Sequence, residues 1–530
     1  MVVDDHGAGH GVEPDRVMGA LHSIGGGDVV QAHPQPGRRV IDGAVGMHVR
    51  AGRESHVLTV PAAAPTPDRH ATGCYVPASP ARHRSLKLRR CPARDSRSAT
   101  MMTPPTRQQP VPPRTRQPRR VAVIGQGHMG LVVSVLATEA GHSVVGYDTD
   151  PVRILRVSSA SEDLGEVPRD RLAQAIATGR FTATTDAAAL YGFEVAVISV
   201  STPLAAGRPD LRLLEAAAKT VAAHARPGCV VIVESTTWPG TTDEIVIPAL
   251  ESSGLRAGVN LHVGYTPERI NPGDGIDAMV TIPKIVSGAD AASLALVTEF
   301  WETLVDTVVL APDMRTAELT KLIENTFRLV NISLVNEIAH HARDLGADIW
   351  SAIGLATSKP YGFMPFTPGI GAGGHCIPVA PRYLAWRIGE TGGTPAGLIE
   401  MALAVNDAAP VWVAERILTG LTQRGIGTGQ AVVLVAGITY KPNVGDVRGS
   451  AAAAVIAHLR GRGVWVLVYD PVAEYAAEVL RVVTPELIAA VSAVAVLVAH
   501  DHLDTDALAA ADYVFDACGI LPRTPNIELL

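Results

Sequence analysis

Three residues in this chain could do chemistry together. Cys376 stands in a glycine-rich stretch, "TPGIGAGGHCIPVAPRYL", from Thr367 to Leu384. Lys321 and Asn325 recur one helical turn apart in "AELTKLIENTFRLVNISLVNE". A thiolate adds to carbonyl carbon. A lysine held beside it can stabilise the oxyanion that results, with an asparagine as hydrogen-bonding partner. Cys376 itself reads two ways. Free Cys is mostly buried and inert, but a loop holding Gly369, Gly371, Gly373 and Gly374 packs no core and can wrap a ligand with its backbone. Reactivity requires a lowered thiol pKa, for which His375 and Lys321 are the candidates. Local sequence leaves filler and nucleophile both open.

The helix that carries Lys321 is equally two-sided. Lys321, Asn325 and Arg328 share one lane, and Leu319, Leu322, Ile323, Phe327, Leu329, Val330 and Leu334 fill the wider face opposite. A solvated stripe explains the lane. Ile332 and Val335 interrupt it, however, and Asn is a poor helix former; both fit a lane that faces a cleft.

A cofactor is implied farther upstream. "VAVIG" (121–125) is a short β-rich run, followed by "GQGHMG", which supplies Gly125, Gly127 and Gly130 in GxGxxG spacing and opens an apolar helix. These glycines permit a tight turn and close approach of backbone N–H groups to a pyrophosphate at a helix N-terminus. Asp148 ends the next strand run, "SVVGYD". A carboxylate there accepts from ribose hydroxyls and repels a 2′-phosphate, which favours NAD over NADP. NAD with a nucleophilic Cys suggests oxidation of an alcohol to an aldehyde, capture as a thiohemiacetal, a second oxidation to a thioester, and hydrolysis to an acid.

The elements that must position these groups alternate. Strand runs continue at 195–200, 229–235 and 306–311, and a second series follows Gly427 at 431–437, 464–470, 493–500 and 513–519. Strands alternating with helices imply βαβ units and a mostly parallel sheet. The reading is an α/β chain of two Rossmann-like domains, residues 119–315 and 427–530, joined by a central helical region, 316–426, with a ligand cleft between them. The second series lacks the glycine fingerprint. Lys441 and Arg448, in "GITYKPNVGDVRGS", stand in a loop at a strand's C-terminal end, where they could hold phosphate or simply face water.

Composition bounds the alternatives. The chain has 530 residues, 47% hydrophobic, with net charge −7, which gives no global pull toward nucleic acid. Its five Cys are scattered without a CxxC pair, which argues against a disulfide framework and against a metal site and makes the cytoplasm the simplest compartment. The apolar run Leu487–Ala499 is too short for a bilayer, which takes about 20 residues, and "MVVDDHGAGH" has no signal-peptide pattern. Residues 1–118 lack periodicity and read as a disordered, low-complexity extension. Its basic part, Ala81 to Arg120, holds twelve Arg or Lys against one acid, Asp95; an arm for nucleic acid is the competing reading, weakened by the lack of interleaved aromatics.

From Arg120 onward the chain resembles the UDP-glucose/GDP-mannose dehydrogenase family. The resemblance rests on "GQGHMG", "VSTPL", "ESTTWPGTT", "TPERINPG", the Lys321 helix, "PGIGAGGHCIP" and "YKPNVGDVR". "YGFMPFTPGIGAGGHCIP" and "PERINPG" look most like the branch acting on UDP-N-acetylhexosamines. The resemblance implies an NAD-dependent four-electron oxidation of a UDP-sugar to its uronic acid, in a homodimer whose C-terminal domain binds the sugar nucleotide. It implies Cys376 as nucleophile, Lys321 and Asn325 at the oxyanion, Glu268 assisting thioester hydrolysis and Thr236 ordering a water near the nicotinamide. It assigns cofactor contacts to Gly125, Gly127, His128, Met129, Gly130, Asp148, Arg153, Val200, Ser201, Thr202, Pro203, Thr236 and Arg448. Substrate contacts fall to Glu268, Arg269, Lys321, Asn325, Thr367, Gly369, Gly371, Gly373 and Lys441. Two positions depart. The family's "HCIPVDP" is "HCIPVAP" here, so Ala380 replaces a water-activating Asp, and Gly449 replaces a Glu. UDP-glucose oxidation, or a nucleotide-sugar-binding paralogue with impaired turnover, are the alternatives; a two-electron hydroxyacid dehydrogenase would not need Cys376.

Overall fold

The computed structural model describes residues 117–474 and 478–530. The expected extension lies outside the described residues but for its last two positions, and the basic arm but for its last four.

Short runs rich in Val, Ile and Ala form strands buried on both faces, as a helix-covered parallel sheet demands. In the first domain these are Arg120–Ile124 (β1), Ser143–Tyr147 (β2), Phe181–Thr184 (β3), Val195–Ile198 (β4), Val230–Val233 (β5), His262–Tyr265 (β6), Lys284–Gly288 (β7) and Val308–Leu310 (β8). The sheet order is β8-β7-β6-β5-β4-β1-β2-β3. Every pairing is parallel except β6 with β7. Three of these strands, β3, β6 and β7, have no counterpart in the sequence reading. Each is short, and His262, Thr182 and Lys284 break their apolar runs. Strand order reverses at β1, which lies between β2 and β4, so a ligand crevice opens at the C-terminal ends of those strands. Helix His128–Glu139 (α1) starts at that crevice.

The stretch without Gly or Pro becomes a 31-residue helix, Met314–Asp344 (α2). Asp313 caps it by accepting the Thr316 N–H at 2.7 Å, which satisfies one of the orphan donors of a helix start. Its predicted faces need correction. Lys321 is buried and Asn325 half-buried, but Arg328 is exposed, so the polar lane divides along its length. Leu322 and Leu329 are buried, whereas Ile323, Phe327 and Leu334 are 55%, 49% and 53% exposed. The physical reason is that α2 docks by its Lys321 side onto the first sheet's core, which turns part of the apolar face outward.

Helix Ala380–Glu390 (α3) begins four residues after Cys376, and Gly397–Gln423 (α4) packs along α2. By length and composition α4 could cross a membrane; its Leu403 packs with Leu329 of α2, and its Val413, Ile417 and Leu421 enter the second core. The second sheet contains Val432–Ala436 (β9), Trp465–Tyr469 (β10), Val479–Leu480 (β11), Ala493–Val496 (β12), Val514–Asp516 (β13) and Ile527–Leu529 (β14). All its strands are parallel, in the order β11-β10-β9-β12-β13-β14.

Candidate active site

The glycine turn follows from backbone geometry. Gly125 has φ +92°, and a Cβ there would stand 2.4 Å from the Ser199 carbonyl oxygen. A Cβ on Gly130 would stand 1.8 Å from the Gly125 oxygen. Only glycine permits the helix to start so close to β1. Gly127 has nothing within 4 Å of its Cβ position and borders a cavity of about 780 Å³. That cavity is also lined by His128, Arg153, Glu166, Asn443 and Arg448, so both sheets contribute to it. An open turn at a helix N-terminus, facing a roomy cleft with arginines, fits a dinucleotide diphosphate.

The groups expected around that turn are engaged with it. Asp148 accepts the Gln126 N–H at 2.7 Å and the Asp150 N–H at 3.0 Å, which leaves further lone pairs for hydroxyl donors. Arg153 donates to the Gln126 and Gly127 carbonyls. Met129 packs against the first core. Burial, with the Arg448 and Arg153 charges behind it, pushes His128 down to about 4, so the ring is neutral near pH 7. The segment from Val200 to Pro203 is pinned from the neighbouring strand end. Val200 N–H donates to Ser235 Oγ at 2.9 Å, and Thr202 Oγ1 donates to the Thr236 carbonyl at 2.7 Å. Ser201 is exposed between them.

At the thiol, Lys321 and Glu268 come together. Lys321 Nζ stands 3.5 Å from Glu268 Oε2, with both side chains nearly buried. The other Glu268 oxygen accepts the Ile270 N–H. Cys376 is half-buried and lies within electrostatic range of both. Burial pushes its thiol up, the Lys321 cation pulls it down, and Glu268 adds to the rise. Of the two candidates for lowering the thiol, Lys321 acts in that direction, but burial outweighs it and the net shift is upward. Asn325, one turn beyond Lys321, has a buried Nδ2 without a hydrogen-bond partner. An amide donor left unsatisfied costs about 1–3 kcal/mol, so it is poised for a ligand acceptor.

The cysteine loop is held at both ends. Gly369 N–H donates to Asn336 Oδ1 at 2.8 Å, and Ala372 N–H to Asn406 Oδ1 at 2.7 Å. Gly374 N–H donates to the Gly449 carbonyl at 3.0 Å, tying the loop to the second domain. A Cβ on Gly373 would stand 2.8 Å from the Gly449 oxygen. Gly449 has φ +64° and its Cβ position lies 3.1 Å from the Gly374 oxygen, so this turn favours glycine over the glutamate of the resemblance. Thr367 is exposed and Gly371 half-buried. Ala380 is 1% exposed. It opens α3, donates its N–H to the Cys376 carbonyl at 3.0 Å and packs into the core beneath α2.

Remaining site residues bridge the domains or point elsewhere. Lys441 donates to Asn271 Oδ1 at 2.7 Å and to the Pro272 carbonyl, a clasp across the cleft. Arg448 is paired with Asp446 at 2.7 Å. Arg269 is committed to Glu324 at 2.6 Å and to the Pro283 carbonyl. The sequence reading missed several supports. Tyr383 OH donates to the Thr202 carbonyl at 2.7 Å, and Glu166 accepts N–H groups of Gly273 and Gly275, both at 2.9 Å. Asn336, Asn406 and Glu318 are missed too. Only Glu318, one turn ahead of Lys321, carried a positional signal.

A glycine turn at a parallel-sheet crevice, in a chain that also brings together a thiol, a lysine and a carboxylate, defines a dinucleotide-dependent oxidoreductase. The chain belongs to the UDP-glucose/GDP-mannose dehydrogenase family. Its NAD-binding domain model matches residues 119–305, its central domain 315–408 and its UDP-binding domain 434–523. UDP-N-acetyl-D-mannosamine dehydrogenase of Pyrococcus horikoshii is 35% identical over 66% of this chain and 83% of its own. UDP-N-acetyl-D-glucosamine 6-dehydrogenase of Salmonella typhi is 35% identical over 66% of this chain and 82% of its own. The solved structure of the Pyrococcus UDP-D-ManNAc dehydrogenase superposes with TM-score 0.71 at 31% identity, over 77% of this chain and 98% of that one.

Proposed function

We propose that this chain oxidises the C6 alcohol of a UDP-N-acetylhexosamine to the carboxylate, reducing two NAD per sugar. The observation that carries the reading is the group formed by the Cys376 thiol and the nearly buried Lys321–Glu268 pair, in a chain whose open glycine turn borders a cavity shared with the second domain. NAD, when bound, accepts a hydride in each of two oxidations. The residues divide the remaining work. Lys321 stabilises the alkoxide of the first oxidation. The Cys376 thiol, losing its proton, adds to the aldehyde carbon as a thiohemiacetal, and its oxyanion again faces Lys321. The second oxidation leaves a thioester; water adds, the thiolate departs and the acid is released. Overall, alcohol, two NAD⁺ and water give carboxylate, two NADH and three protons. Asn325 supplies an amide donor to the oxyanion, Thr236 orders the water, and Glu268 takes its proton. Lys441 and the Thr367–Gly373 backbone hold the sugar nucleotide; Arg448 and the glycine turn hold the cofactor.

Counting NADH formed per sugar consumed, with UDP-GlcNAc, UDP-ManNAc and UDP-glucose in parallel, tests this. Two NADH with an N-acetylhexosamine is the expected result, and two with UDP-glucose alone moves the substrate. A second reading, a sugar-nucleotide-binding chain with slow turnover, is favoured by Ala380, which leaves Glu268 as the carboxylate acting on the thiol. Saturable sugar binding without NADH is its signature.

The outward stripe of α2, Ile323, Phe327, Leu334 and Ile338, supports a homodimer formed through this helix, since contiguous exposed apolar groups mark interfaces. Phe327→Glu is then expected to shift the sedimentation coefficient toward a monomer. A working thiol suits a reducing compartment, the cytoplasm.

A further inference from the structure

Glu318 is a carboxylate with 0% exposure and, among the described residues, no cation within ion-pair distance. It is not idle. Its Oε2 accepts the Gly240 N–H at 2.5 Å. Its Oε1 accepts the Thr242 N–H at 2.8 Å, the Thr242 hydroxyl at 2.7 Å and the Thr237 hydroxyl at 3.3 Å. All four donors belong to one turn, Thr237 to Thr242, which follows Thr236 directly. Gly240 has φ +101°, a conformation that favours glycine in the turn. From Thr236 the linkage continues through its carbonyl to Thr202 Oγ1 at 2.7 Å, and Ser235 Oγ donates to the Val200 carbonyl at 2.8 Å. Glu318 itself sits one turn ahead of Lys321 on α2.

We propose that Glu318 is a positioning residue: it fixes Thr236 and the Val200–Pro203 segment, on the cofactor side, to the helix that carries Lys321, on the substrate side. The inference rests on the reading under Proposed function. Hydride transfer requires donor and acceptor carbons to be set within a few tenths of an ångström, and a displacement of about 1 Å can cost on the order of 100-fold in rate. A single rigid staple between the two walls supplies that register. An uncompensated buried charge is otherwise unfavourable. Burial raises Glu318 to about 7, against the hydrogen bonds of Thr242 and Gly240, and Asp243 adds to the rise. Tyr265, from β6, also lies within its field. The site thus retains a group that costs stability as it ionises but accepts four donors when it does.

Glu318→Gln in the full chain tests this. The amide keeps the shape but cannot accept all four donors. At pH 8 kcat is expected to fall at least tenfold with KM for NAD within threefold, while Tm stays within about 3 °C of the parent. Glu318→Asp should recover only part of the rate. Hydrogen exchange of residues 236–242 and 200–204 is expected to accelerate at least tenfold in Glu318→Gln, with β9–β12 unchanged. Unaltered kcat, or a rate loss that follows Tm alone, overturns the proposal. If the parent makes no NADH, the reading under Proposed function fails, and the exchange rates alone decide for Glu318: unchanged exchange at 236–242 sinks it. Should Glu318→Gln not fold, Thr242→Val, which removes one donor, is expected to give the same kcat loss in smaller degree; an unaffected Thr242→Val then overturns the proposal.

Discussion

The two sheets build the same turn and use it differently. Gly125 N–H donates to the Tyr147 carbonyl and Gly437 N–H to the Tyr469 carbonyl, both at 2.8 Å. Both glycines have φ +92°, and an aspartate, Asp148 or Asp470, stands directly after each following strand. In the first domain a helix starts within three residues and Asp148 remains half-buried, so the backbone faces the cleft. In the second the chain runs on as a loop, and Asp470 is fully buried beneath it. Asp470 accepts the Ile438 N–H at 2.7 Å and the Val472 N–H at 2.9 Å, and bonds His500 Nε2 at 3.1 Å. Because His500 Nδ1 accepts the Asn443 N–H at 3.0 Å, the neutral ring must carry its proton on Nε2 and donate it to Asp470 or Thr439. One scaffold therefore leaves its turn's backbone open toward the cavity; its twin converts the same aspartate into a clamp for the loop that carries Lys441 and Arg448.

Substitutions that act on one half alone sharpen this contrast. Gly130→Ala places a methyl where the Gly125 oxygen sits. The expected loss of NAD affinity is at least about 100-fold, or 2.7 kcal/mol, with UDP-sugar affinity within threefold; calorimetric titration with each ligand reads both. Lys441→Ala should do the reverse, raising KM for the UDP-sugar by about 10–150-fold, in line with roughly 1.5–3 kcal/mol for a charged hydrogen bond, and leaving KM for NAD unmoved. Equal effects on both ligands would dissolve the division between the halves. Between the two, Ala380→Asp should raise kcat at least about tenfold if a missing base limits hydrolysis; an unchanged kcat with the same NADH count assigns the step to Glu268 alone.

The smallest effect is on stability. Hydrogen bonds from His500, Ile438 and Val472 outweigh desolvation and hold Asp470 down at about 2, below its ordinary value of 3.8. Its contribution is therefore present above pH 3.8 and lost as pH falls through about 2. Asp470→Asn should cost about 1–3 kcal/mol at pH 7, and its Tm deficit should shrink as pH drops from 4 toward 2. A deficit independent of pH would argue that the clamp is not ionic.

Much of this was legible from residue type and spacing. The GxGxxG turn, the long helix and the two α/β series each follow from local rules, since glycine placement and apolar runs act within a few residues. For Lys321 the apolar interruptions of its lane gave a hint, and the side chain is buried, although Arg328 of the same lane is exposed. The face of α2 was misjudged for Ile323, Phe327 and Leu334, since periodicity shows that a stripe exists but not what covers it. Strands β6 and β7 hid behind His262 and Lys284, and the latter is buried only because Glu234 meets it at 2.5 Å. The thiol's upward shift was illegible for the same reason: desolvation depends on neighbours distant in sequence. Glu318, Tyr383 and Asn406 act through hydrogen bonds to partners distant in sequence, which leave no periodic trace.

The central claim is that the Cys376 thiol carries the second oxidation. Its most direct measurement is the NADH count per UDP-N-acetylhexosamine in Cys376→Ser beside the parent chain, with NAD affinity confirmed unchanged. Two NADH from the parent and no more than one from the variant is the result the account predicts. Two from the variant would contradict it.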